Sequence, residues 1–197
     1  MCSHDDALAM ALQEFRQNDP YLMGEYSGCA YDEGKHRFRV NYCGQTYYLY
    51  YPGGEVETEG GDSFAGEEKV LFLQYLNKAQ SLPPRRNWLS FLELPNGEMH
   101  HAPFLKEAVY PLAEKYGKHV EEFIKASQEV GEPMDAGDAA FIIPVFPRLE
   151  MATILWGEDE EYSARANVLF DEVSTYHLAT ASLYVLGIMV VKRIYGI

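Results

Sequence analysis

The residue types best suited to chemistry gather between positions 148 and 177: Arg148, Glu150, Trp156, Glu158, Asp159, Glu160, Glu161, Asn167, Asp171 and His177. Carboxylates and an imidazole supply acid, base or hard-metal ligands, arginine binds anions, and an indole walls an apolar or planar ligand. Their spacing lacks the alternate oxygen ligands and central glycine of an EF-hand. The run Glu158 to Glu161 reads mainly as a solvated turn, with Tyr162 directed back to the core. The residues expected to shape a ligand site are therefore Arg148, Trp156, Asp159, Asn167, Asp171 and His177. Arg148 is the anion contact, and Asn167 and Asp171 also brace the loop. An alternative reading is a metal-dependent enzyme using Asp159, Glu161, Asp171 and His177. A third is a structural or interaction subunit without a pocket.

Other motifs carry less. "GGEVETEGGDSFAGEEK" runs into a helix as phosphate cradles do, but it matches neither GxxxxGK[ST] nor GxGxxG, and its acids repel phosphate. Side chains at His100 and His101 diverge on a helix and oppose each other on a strand, so the pair does not share one ion. Cys29 and Cys43 fall in neighbouring expected strands without an adjacent base, which predicts buried packing rather than a nucleophile. No GxSxG elbow is present.

These residues must be positioned by elements legible from periodicity. "SHDDALAMALQEFRQNDP" predicts an amphipathic helix, with Ser3 as cap and Asp6 three residues on, over roughly residues 1–20. Residues 21–65 read as a tyrosine-rich β meander, with Phe38 and Val40 on one face of "HRFRVNY". Residues 66–135 read as mainly helical. They comprise a helix from Gly66 to Ala79, a short strand near Trp88, an Asn96-Gly97 turn, and two helices in which Pro111 forces a kink or restart. Residues 136–171 hold two strands with Pro144 and Pro147 marking an edge, bulge or bend, then the acidic loop and "ANVLF", strand or turn. The segment 172–197 holds the last helix, from about Thr180 as its N-cap to Tyr195, with Lys192 and Arg193 in its final turn and Gly196 beyond it. The expected assembly is one α+β domain, its helices packed on a largely antiparallel sheet.

Composition narrows the class of partner. The 197 residues carry 30 acids against 16 Lys and Arg, a formal charge of −14 that repels nucleic acid and acidic lipid. The basic pairs Arg85-Arg86 and Lys192-Arg193 make no binding stripe. Three cysteines without a CxxC pair fit a reducing cytoplasm, and the N-terminus lacks the pattern of an export signal. "LATASLYVLGIMVV" is too short to span a bilayer and reads as a buried helix. Self-association, if any, is expected as a homodimer through the edges of the tyrosine-rich strands.

In order, "YYLYYPGG", "VLFLQYL", "WLSFLELPNG", "GDAAFIIPVFPRLEMATILWGEDEEY", "ANVLFD" and the late "LG" resemble a domain-of-unknown-function family of anaerobic bacteria and archaea, from Gln45 to the C-terminus. The resemblance implies a setting in anaerobic one-carbon and corrinoid metabolism. It also implies relatives fused to a small iron–sulfur domain, for which the cysteines here lack the spacing. On that basis the expected function is binding or handling of a small molecule or cofactor, its identity unspecified. A corrinoid or tetrapyrrole enters only through the resemblance.

Overall fold

The computed structural model describes residues 4–64 and 66–196. The expected Ser3 cap lies outside them, as does Cys2. Helix α1 (His4–Gln17) turns Ala11 and Phe15 inward. The Asn18-Asp19-Pro20 stop is also a start: the Asp19 carboxylate accepts hydrogen bonds from Tyr21 and Leu22 N–H, and Pro20 opens α2 (Pro20–Ser27). Proline suits a first helical position, where its missing N–H costs nothing. This corrects the reading of residues 21–27 as meander. Gly28 ends α2 at φ 74°, the left-handed conformation glycine adopts without a Cβ penalty.

The meander follows as β1 (Ala30–Asp32), β2 (Arg37–Tyr42), β3 (Gln45–Tyr50) and β4 (Val56–Thr58), a four-stranded sheet in that order with every pair antiparallel. Phe38, Val40 and Tyr42 alternate inward along β2. Helix α3 (Lys69–Lys78) buries Val70, Leu71, Phe72, Leu73, Tyr75 and Leu76, so it is enclosed on more than one side.

A second antiparallel sheet has the order β5-β9-β8-β7-β6, built from β5 (Trp88–Ser90), β6 (Glu132–Met134), β7 (Ala139–Phe146), β8 (Leu149–Trp156) and β9 (Arg165–Asp171). The "ANVLF" piece is thus strand, and β5 and β6 interrupt the span expected to be mainly helical. β7 and β8 lie at the centre and are buried along nearly their whole length, which explains their unbroken apolar text. Their register shifts between Pro144 and Phe146, a bulge at the expected proline.

Pro111 is accommodated without a break. Helices α4 (His101–Phe104) and α5 (Tyr110–Tyr116) are joined by a π turn over Leu105–Val109, whose wider hydrogen-bonding repeat absorbs the missing amide proton. Asn96-Gly97 makes a strand-to-helix turn. Helix α6 (Val120–Gln128) and the one-turn α7 (Ser174–His177) precede α8 (Thr180–Tyr195), which packs Gly187 against the rings of Phe104 and Phe170. Thr180 is the first residue of α8 rather than its cap, because its hydroxyl donates to the Pro95 carbonyl. Arg193 does not stay at the helix end but reaches Gln45, Tyr47 and Glu68.

The two sheets share one core. Tyr42 of β2, Phe72 and Tyr75 of α3, and Phe146 of β7 meet in it, with the Tyr75 and Phe146 rings stacked at 4.3 Å. The fold is α+β. Among the described residues no helix is long and apolar enough to cross a membrane.

Candidate functional site

The β7–β8 hairpin decides which of the expected site residues can meet. Arg148 sits in its turn and Trp156 at the far end of β8, roughly 25 Å away at strand rise. These two cannot wall one pocket, so the expected enclosure by the "FPRLE" strand, the Trp156 loop and the last helix does not form. Five of the six residues divide between the ends of the sheet, and Asn167 lies between them.

At the Trp156 end the acidic segment is a braced surface loop. The Asp159 carboxylate accepts the Glu161 and Tyr162 N–H groups at 2.8 and 2.7 Å, and those bonds hold it below the usual carboxylate range. Glu158 N–H donates to the Gly117 carbonyl and Gly157 N–H to Asp138. Tyr162 points away from the core and is 64% exposed. Arg165 lies over the Trp156 ring at 5.6 Å, so the indole is already covered by a cation. Asn167, paired with Ile154, is exposed on β9 between the two ends.

At the other end Arg148, Asp171 and His177 are near one another and bond mainly to their own chain, with Arg148 Nε and His177 Nε2 buried and without a hydrogen-bond partner among the described residues. Arg148 N–H donates to the Tyr75 hydroxyl at 3.0 Å, and its guanidinium donates to the Glu25 carbonyl at 3.2 Å. Tyr75 in turn donates to the Ser27 carbonyl at 2.7 Å. Asp171 is fully buried. One of its oxygens accepts the Arg85 and Arg86 N–H groups and the other accepts Val173 N–H at 3.0 Å. His177 is equally buried, and its Nδ1 accepts Gln80 N–H at 3.3 Å. Cys29 and Cys43 are buried free thiols, and desolvation pushes both up to about 12, which rules out a ready thiolate.

The metal reading fails on convergence. β8 and β9 separate Asp159 and Glu161 from Asp171 and His177, and among the described residues no group of three or more His, Cys, Asp and Glu side chains is placed to hold an ion.

Burial holds the His177 imidazole down at about 4 from its ordinary 6.5, helped by Arg148 and opposed by the Leu82 carbonyl and Asp171. The unfolded chain therefore takes up this proton first as pH falls. The stabilisation from the neutral ring is complete above pH 6.5, declines between 6.5 and 4, and is gone below 4. It amounts to roughly 3 kcal/mol. Urea unfolding at pH 7 and pH 4.5 should show a smaller acid loss for His177→Asn than for wild type. Equal losses would refute this.

What Asp171 and His177 hold is the segment 80–87, and that segment delivers the side chain on which a site can be built. Arg86 has φ 59°, left-handed and non-glycine, a conformation costing about 1 kcal/mol. Its Nε and Nη2 donate to Glu150 at 2.9 and 3.2 Å, and Nη2 also donates to Glu132 at 2.7 Å. The guanidinium borders a cleft of about 350 Å³ lined by Gly44, Glu129, Gly131, Ile142, Pro144 and Glu150, beside the β7 bulge. A second cleft of about 410 Å³, with Arg39, Asn41 and Thr46, adjoins it across Gly44, Pro144 and Glu150.

Strained backbone and bulges recur at functional sites because surrounding structure must pay to maintain them. Here the maintaining group is the buried Asp171 carboxylate. Sequence reasoning noted Glu150 but set Arg86 aside as half of an isolated basic pair. No local signal marks it, since the left-handed turn and both glutamates come from tertiary structure.

A family model described as a domain of unknown function, DUF3786, matches residues 19–193. No curated protein and no solved structure matches the chain.

Proposed function

The chain belongs to the DUF3786 family, and from that premise we propose that it binds a small neutral or zwitterionic molecule in the cleft bordered by the Arg86–Glu150 ion pair. The observation that carries this reading is the Arg86 side chain itself. It is held on a strained backbone by a buried carboxylate and aimed by two glutamates at the edge of a concave surface. Exposed ion pairs of this kind contribute only about 0–1 kcal/mol each. Stability alone is thus a poor reason for the arrangement, whereas preorganisation of a recognition group is a good one.

The lining sets the ligand's chemistry. Nε and Nη2 of Arg86 are used by Glu132 and Glu150, which leaves the Nη1 donors for an acceptor on the ligand. Glu129 and Glu150 take donors, and the surplus of carboxylates disfavours a simple anion. A volume of about 350 Å³ lies at the small end of ligand pockets and supports a small intermediate rather than a corrin macrocycle. The metabolic setting we attach to it, anaerobic one-carbon or corrinoid-related metabolism, comes from the family resemblance.

Titration of the labelled protein with zwitterionic amino acids and small neutral amides should move the amide NMR signals of Gly44, Arg86 and Gly131. Arg86→Gln should weaken that response about tenfold or more, the equivalent of one charge-assisted hydrogen bond. Absence of any localised shift at millimolar ligand would sink the proposal.

A further inference from the structure

The main-chain attachments of the segment between α3 and β5 lead to one anchor, while the Arg86 side chain reaches away from it to Glu150 and Glu132. Gln80 N–H donates to His177, Arg85 and Arg86 N–H donate to Asp171, Glu172 N–H donates to the Asn87 carbonyl, and the Arg85 side chain pairs with Glu172 at 2.9 Å. All of these partners fall between Asp171 and His177, the end of β9 and the short helix α7. The segment itself has no regular structure, and none of residues 80–87 is buried. Pro83 and Pro84 remove two amide donors from its middle. It is held by polar bonds at both ends, with only Leu82 and Pro84 half-buried, the description of a unit that opens below the free energy of global unfolding.

We propose that residues 80–87 form a strap that opens and closes as one unit at the rim of the cleft, with Asp171 and His177 as the positioning residues that fasten it and Arg86 as its latch on Glu150 and Glu132. When the strap is down, Arg86 pairs with both glutamates, offsets one of their two negative charges and narrows the cleft. When it lifts, Glu150, whose side chain is only 16% exposed, loses its counter-charge and faces the entrance. The strap is independent of any ligand, and its use as a gate rests on the cleft reading above.

Acid offers a lever on one fastening. A protonated His177 carries a hydrogen on Nδ1 and can no longer accept from Gln80. Around that ring stand Tyr75 from α3, with ring centroids 6.1 Å apart, Arg148 from the β7–β8 turn, and Asp171 from β9. The Arg148 charge opposes protonation and the Asp171 charge favours it.

Native-state hydrogen exchange in low urea tests the strap on the unmodified protein. The Gln80, Arg85 and Arg86 amides should exchange through an opening insensitive to urea, at least tenfold faster than the central amides of β7, β8 and α3. Exchange of the strap amides only with global unfolding, at the same urea dependence as the core, would overturn the proposal.

Asp171→Asn tests the positioning role through the Arg86 Nε–H signal. That signal should move to the position of a free arginine while core amides stay in place. A signal unchanged in a folded variant would overturn the role of Asp171. If the variant does not fold, the urea dependence of wild type alone decides. Ligand titrations are read separately, so a mobile strap with no ligand response removes the gate and the cleft reading but keeps the strap.

Discussion

Replacing Asp171 with alanine is expected to lower the free energy of unfolding by about 2–4 kcal/mol, a large effect for a residue at the end of a strand. The carboxylate is fully buried and serves three main-chain N–H groups, two in the strap and one at Val173. Alanine removes all three acceptors. The loss has an upper bound because the strap amides can turn to water by lifting, while the Val173 N–H stays in a buried corner. At about 2–4 °C per kcal/mol for a chain of this size, the thermal midpoint should fall by roughly 4–16 °C. A variant within about 0.5 kcal/mol of wild type in urea unfolding would show that the carboxylate's hydrogen bonds are compensated locally.

Gly187→Val should cost about 3 kcal/mol or more, for a purely steric reason. A Cβ at this position would lie 2.6 and 2.8 Å from two atoms of the Phe104 ring and 3.2 Å from Phe170. Both rings are buried and cannot swing into solvent. Alanine clashes with the same atoms but regains up to about 1 kcal/mol of helix propensity, so it should fall between wild type and valine. Urea midpoints in the order glycine, alanine, valine would support this account, and a valine variant as stable as wild type would refute it.

Much of the fold was legible before any coordinates. Alternation placed Phe38 and Val40 inward, helical spacing found α1, α3, α6 and α8, and the proline pair marked the β7–β8 bulge and turn. The missed helix α2 shows how one signal can carry two meanings. Asp19-Pro20 ends α1 and starts α2 at once, and its second meaning depends on a side-chain cap visible only in three dimensions.

The site was less legible. Asp171 was expected to brace a loop, and it does brace one, but that loop is the strap 80–87, distant in sequence, rather than the acidic turn nearby. Trp156 and Arg148 looked like neighbours across eight residues of text, yet a strand carries its ends about twice as far apart as a helix of the same length. Arg86 was invisible because nothing in "LPPRRNW" announces that one arginine turns left-handed and meets Glu132 and Glu150.

The pairing of β5 with β9 places Trp88 directly opposite Asp171, one residue past the strap. The other indole, Trp156, lies at the far end of the sheet beside Arg165. With two tryptophans in the chain, this protein carries its own optical readout. Tryptophan emission from a Trp156→Phe variant comes from Trp88 alone and reports the strap's hinge, and tryptophan emission from a Trp88→Phe variant reports the acidic loop, without an added dye.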